Sequence, residues 1–297
     1  MEPLSTYMRL GVVVNMVYPD LPFPEALRKI AADPFFSVAE VPPLPEEEGQ
    51  VMEIAETSGL TLVYCAQPAV LVEGVNPNAL ENSERRRAVD LLKGHVDRAR
   101  RLGVGRMAVM SGPDPGEGER ERAREQLVCS LREVCDYAWG YGIEVALETF
   151  DRDVEKRALI GPTEEAVEVV ERTNRANLGL LVDLSHLPLL GEDPWDAMES
   201  AGEYLLQVHV GNCVLDPSHP AYGDKHPRLG LEGGANGVEE VTEFLWALGE
   251  AGFLDPEDPP IVSLEVRPLP GEDPDLVLAG AKRMLSEAWG RVWEELL

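Results

Sequence analysis

Cysteine is scarce and scattered. Cys65, Cys129, Cys135 and Cys213 are the four in the chain, and no two of them form a Cys-x-x-Cys pair. That excludes a zinc ribbon and a dithiol redox motif and leaves scattered buried thiols in a reducing cytoplasm. Positive charge is also short: 26 Lys and Arg face 54 Asp and Glu, a formal net charge of −28. A field of that sign repels nucleic acid phosphates and acidic membranes, so neither is expected as a partner. No apolar run approaches the ~20 residues of a membrane span. The segment Met1–Thr6 has no basic region followed by an apolar one, so no secretory signal is expected and the cytoplasm is the expected location. No Gly-x-Gly-x-x-Gly follows the first strand-like segment, which argues against a dinucleotide-binding fold.

What is present is an alternation. Arg9 to Met16, Phe36 to Val41, Leu60 to Ala66 and Arg106 to Met110 read as strands. Helical stretches follow them at Phe23 to Ala32, Pro45 to Ser58, Asn82 to Leu102 and Gly118 to Gly140; the second has a proline and acidic residues in its first turn. Four more strands, Ile143 to Phe150, Gly179 to His186, Tyr204 to Asn212 and Ile261 to Arg267, alternate with helices at Pro162 to Thr173, Pro194 to Ala201, Val238 to Ala251 and Asp273 to Leu296. Such alternation implies a parallel sheet. The chain has 297 residues, 44% of them hydrophobic, and no composition break that would mark a linker. The expectation is a single (β/α)8 TIM barrel over 1–297 rather than an open doubly wound sheet.

The last four strands share a design. Each is an apolar run, as in a strand covered on both faces, and each ends in a polar group: Glu148, Asp183, His209 and Glu265. A charged group at the end of such a run is costly unless it is paired or holds a metal. In a barrel the C-terminal strand ends converge on one face. Three carboxylates and an imidazole there are ligands for a divalent cation of intermediate hardness, and one shared ion is expected.

These segments, Leu-Glu-Thr149, Val-Asp-Leu-Ser-His186, Val-His-Val-Gly-Asn212 and Leu-Glu-Val266, resemble the xylose isomerase-like barrels. That group holds sugar isomerases, ketose 3-epimerases, inosose dehydratases and apurinic endonucleases. The resemblance implies ligation of manganese, cobalt, magnesium or zinc by Glu148, Asp183, His209 and Glu265. It also implies that His186 contacts the substrate, and it makes Arg228 the match for a substrate-contacting arginine. The chemistry implied is proton transfer next to a carbonyl through an enediolate. Glu148 and Glu265, from strands far apart around the barrel, would act as the acid–base pair on a sugar or polyol. An inosose-dehydratase type lyase begins with the same proton abstraction. An apurinic endonuclease matches at Asp224-Lys-His226, but the chain reads Cys65-Ala-Gln67 and Ser111-Gly-Pro113 where that family has histidines, and the net charge opposes DNA. A non-catalytic sugar-binding barrel is disfavoured because both candidate carboxylates are present.

The segment Gly211 to Gly237 is long for a connection, and such loops are usually functional. Asp224 and His226 either line the sugar site or hold the loop in shape. His219 reads as a loop residue, His95 as a solvated or capping residue, and Glu40 as either a barrel-mouth group or a strand-end ion pair. The loop is expected to cover the site, its glycines acting as hinges and Arg228 or His226 touching a substrate oxygen. The competing reading is a subunit contact, and a homo-oligomer is expected.

Overall fold

The structure, a computed structural model, describes residues 2–44 and 46–295. Among these, eight strands are found: β1 (Arg9–Val13), β2 (Val38–Val41), β3 (Thr61–Cys65), β4 (Arg106–Met110), β5 (Glu144–Glu148), β6 (Leu178–Asp183), β7 (Leu205–Gly211) and β8 (Ile261–Glu265). All pair in parallel in chain order, and β8 returns to β1, so the sheet is the expected closed barrel. Helices Phe23–Ala31, Glu48–Ser58, Asn82–Arg101, Arg120–Trp139, Thr163–Thr173, Pro194–Ala201, Val238–Glu250 and Pro274–Glu295 follow the strands in turn.

The period of two along each strand sorts the side chains. Leu10, Val12, Ala39, Val41, Val145, Leu147, Val182, Val208, Val210 and Leu264 point outward into one large apolar core shared with the helices. Two small clusters, Val38–Val63–Ile261 and Ala108–Ala146–Leu181, fill the lumen. Two residues further along β2, β3, β5 and β6 the inward positions hold Glu40, Cys65, Glu148 and Asp183. The sequence alternation that fills the lumen with apolar groups below thus delivers polar groups at its C-terminal mouth. On the seam between β1 and β8, a Cβ at Gly11 would overlap Ser263 Oγ and crowd Val38 Cβ at 3.2 Å, so a larger residue there would force Ser263 to turn.

Boundaries differ from expectation where backbone geometry overrides apolar patterning. The first strand ends at Val13, and Val14–Val17 coils into a helical turn that brings Asn15 and Met16 to the mouth. The second begins at Val38 rather than Phe36. His186 lies beyond β6 and opens a short helix, His186–Leu190. Expected termini at Pro45 and Leu296 lie outside the described residues. His95 is buried and bonded to the Tyr64 hydroxyl at 2.9 Å rather than solvated. Cys129 is exposed, unlike the other three thiols. Among the described residues no helix is long and apolar enough to cross a membrane.

Candidate metal centre

Glu148, Asp183, His209 and Glu265 meet at the mouth of the barrel. Each offers one ligand atom, and all four atoms lie within 4.8 Å of one another. Register explains this, because Asp183 pairs with His209 and Gly211 with Glu265 on adjoining strands, while Glu148 ends β5. His209 Nδ1 faces the three carboxylates, 2.7 Å from Glu265 Oε2, 3.7 Å from Asp183 Oδ2 and 3.9 Å from Glu148 Oε1. Its other nitrogen, Nε2, lies 3.0 Å from Glu40 Oε1. Glu40 is fully buried and reaches the mouth, so its partner is a histidine of the centre rather than a strand-end cation. Gln67, two residues beyond β3, donates Nε2–H to Glu148 Oε2 at 2.7 Å.

Burial pushes the Glu148 carboxyl up to about 8, against the pull of His209 and His186. Burial also raises Glu265, but His226 and His209 outweigh it and bring that carboxyl down to about 2. The surroundings thus drive the two carboxyl groups of one centre in opposite directions.

A second cluster adjoins the first. His186 Nδ1 bonds the Thr149 carbonyl at 2.7 Å, and its Nε2 lies 3.3 Å from Asp224 Oδ1. His226 Nε2 lies 3.0 Å from the same oxygen. Lys156 Nζ lies 3.1 Å from Asp224 Oδ2. Burial lowers both histidines, but Asp224 dominates and lifts His186 to about 10 and His226 to about 9. Asp183, His186 and His226 also bring ligand atoms within 4.8 Å of one another. The backbone here is preset: His226 has φ +49°, an uncommon conformation for a non-glycine residue, and Arg267 N–H donates to its carbonyl at 2.6 Å. Lys156 is presented by a tight loop in which the Asp151 carboxylate accepts the backbone N–H groups of Val154, Glu155 and Lys156.

The loop between β7 and Val238 is tied to the barrel by two asparagines. Asn212 Oδ1 accepts Asn236 N–H at 2.8 Å, and Asn236 Nδ2 donates to the carbonyls of Leu184 and Gly211. Gly223, Gly230 and Gly233 have φ of +93°, +67° and +80°, the left-handed region that favours glycine. Pro220, Asp224, Lys225 and His226 form one wall of a cavity of about 600 Å³ whose floor holds Glu148, His209 and Glu265. Arg228 is not part of that wall. It is partly exposed and pairs with Glu272 at 3.0 Å. Arg267, two residues beyond Glu265, lines the cavity instead, as does Lys156. The Lys156 signal in the sequence was its rarity: it is one of five lysines.

The donor set suits a divalent ion on independent grounds. Asp183 Oδ2 is buried without a hydrogen-bond partner, 3.7 Å from His209 Nδ1, which is unusual for a buried polar atom. Three carboxylates around one imidazole nitrogen are the donors such ions accept.

A family model described as xylose isomerase-like TIM barrel matches residues 27–286. The inosose isomerase of Bacillus subtilis (strain 168) is 25% identical over 174 residues, 59% of this chain and 58% of the relative. The match thus spans somewhat over half of that relative's length. A solved D-tagatose 3-epimerase-like protein superposes with a TM-score of 0.77 at 21% identity, covering 98% of this chain and 100% of the other. An IOLI protein solved with a zinc atom superposes at 0.75 with 19% identity, covering 96% and 99%. Relatives of the chain are sugar isomerases and epimerases.

Proposed function

Because the chain belongs to the xylose isomerase-like TIM barrel family, we propose that it is a divalent-metal-dependent isomerase or epimerase of a sugar or polyol that works by proton transfer through an enediolate. One observation carries this reading. Glu148 and Glu265 reach a single buried centre from strands β5 and β8, together with Asp183 and His209, at the floor of a cavity within the ~300–1,000 Å³ range of small-molecule sites. Those four residues hold the ion, and manganese, cobalt, magnesium and zinc all accept such donors. When bound, the ion supplies electrostatic stabilisation of the negative charge that develops on the substrate oxygens.

The remaining work falls to side chains. One of Glu148 and Glu265 takes the proton from the carbon next to the carbonyl, and the other returns a proton from the opposite side, which inverts that carbon. If a single carboxylate performs both transfers, the product is the isomer. Gln67, bonded to Glu148 Oε2, leaves the other oxygen of that carboxylate for the centre. His186 and His226, held by Thr149, Asp224 and Arg267, hydrogen-bond substrate oxygens from the second cluster, and the loop wall from Pro220 to His226 keeps water from the enediolate. Gln67 and Ser111 stand where an apurinic endonuclease has histidines, and both are already engaged, with Glu148 and with Ile160 N–H. That reading is not adopted.

The test is incubation of metal-loaded protein in D₂O with a panel of ketoses and inososes, followed by NMR. Deuterium next to the carbonyl without loss of water is the expected outcome. A conjugated enone would point to an inosose-dehydratase type lyase. No exchange with any member of the panel would leave a sugar-binding barrel and refute the proposal.

A further inference from the structure

Glu40 poses a problem that the centre's own chemistry does not use. It is fully buried, and among the described residues its only ion-pair partner is His209. A buried carboxylate without Lys or Arg is expensive unless its hydrogen bonds are satisfied. Here they are. Oε1 accepts Nε2–H of Gln207 at 2.7 Å and lies 3.0 Å from His209 Nε2, while Oε2 takes the Cys65 thiol at 3.5 Å. Gln207 and Cys65 come from β7 and β3, so the carboxylate of β2 is gripped from two other strands of the barrel.

The ring of His209 has two nitrogens and, when neutral, one hydrogen. An ionised carboxylate only accepts hydrogen bonds, so contact with Glu40 requires the hydrogen on Nε2. Nδ1 then carries the lone pair, and it faces three carboxylates. A lone pair turned toward carboxylate oxygens is repulsive unless a cation stands among them. With an ion among those carboxylates, the Nδ1 lone pair would point at it while Nε2–H stays on Glu40.

We propose that Glu40 is a positioning residue: it selects the Nε2–H tautomer of His209 and holds Nδ1 toward the metal, with Gln207 and Cys65 keeping Glu40 in place. The inference rests on the metal reading above. It also accounts for the polar Gln207 in the lumen, one inward step below His209, where β2 to β6 carry Val38, Val63, Ala108, Ala146 and Leu181.

The experiment measures zinc affinity, by competition with a fluorescent chelator, for the wild-type protein and for Glu40→Gln and Glu40→Leu. Loss of such a partner weakens metal binding by about 10- to 100-fold. The expected order is a loss of about tenfold for Glu40→Gln, which retains an acceptor without the charge, and a larger loss for Glu40→Leu. Circular dichroism and the metal-free unfolding midpoint control for folding, and a purely structural role would lower that midpoint and leave the affinity of folded protein unchanged. In the wild type, ¹⁵N NMR of the zinc-loaded, histidine-labelled protein should report His209 protonated at Nε2 and metal-bound at Nδ1; this measurement needs no variant. Zinc affinities within twofold of wild type for both variants, or a zinc-loaded His209 protonated at Nδ1, would overturn the inference while leaving the metal reading intact. Wild-type protein that binds no divalent ion would overturn both.

Discussion

Asp183→Asn gives a prediction whose sign depends on the metal. Asp183 Oδ1 accepts Ser185 N–H at 2.6 Å, and Oδ2 has no partner. Asparagine keeps the first bond and replaces the second oxygen with an amide. Without metal, the change removes one negative charge from a set whose ligand atoms lie within 4.8 Å of one another. At that separation two unit charges repel by about 3.5 kcal/mol in an effective dielectric of ~20. The attraction of Asp183 for the neighbouring histidines offsets part of this, so the metal-free variant should melt no lower than wild type. With metal the effect reverses. An ion present at ~1,000 times its Kd stabilises the folded state by about 4.1 kcal/mol. A chain of 297 residues gains about 1.6 °C per kcal/mol, from an unfolding entropy of ~2.1 cal/mol/K per residue, so the wild-type shift is about 6–7 °C. Loss of an outer partner costs up to ~100-fold in affinity, and a lost ligand should cost at least that. The same ion concentration then stabilises the variant by about 1.4 kcal/mol, a shift of about 2 °C. Calorimetry of both proteins, first stripped with chelator and then titrated with Mn²⁺, gives the comparison. Equal metal-induced shifts in the two proteins would refute the assignment of Asp183 to the centre.

Other expectations follow from the same geometry. Arg228→Ala should leave kcat/KM within about threefold of wild type, since its guanidinium is engaged with Glu272 outside the cavity; a loss of tenfold, about 1.4 kcal/mol, would restore it to the substrate site. Lys156→Met leaves Asp224 buried without its ammonium partner; removing one member of such a pair costs about 3 kcal/mol, measurable by urea denaturation, and an unchanged midpoint would show that the two histidines suffice. Asp114, held below its ordinary value by hydrogen bonds from Arg120, has a folded pKa below its unfolded one. Its contribution is present above the unfolded value and is lost as pH falls through the folded one. Asp114→Asn should therefore be about 1 kcal/mol less stable at pH 7, with the deficit shrinking toward pH 3 in acid denaturation. A deficit independent of pH would assign it to packing.

The sequence by itself determined the architecture and the cast of the centre. Apolar runs closed by Glu148, Asp183, His209 and Glu265 are local features, and eight such runs alternating with helices admit few arrangements. Period-two alternation sends these side chains to the face that holds Val38, Ala108, Ala146 and Leu181, and register on neighbouring strands brings their ends together. What the sequence did not determine is which distant residues complete the set. Glu40 and His209 are 169 residues apart and on strands that do not adjoin, so their contact exists only because the barrel closes across its lumen. Lys156 reaches Asp224 through a loop shaped by Asp151, and Arg228 pairs with Glu272 from a distant loop. Strand-end positions inherit their direction from a repeating backbone, whereas loop side chains inherit theirs from tertiary hydrogen bonds, and that is why the four strand-end groups were legible in sequence while the pairing of Arg228 with Glu272 and the place of Lys156 in the cavity were not.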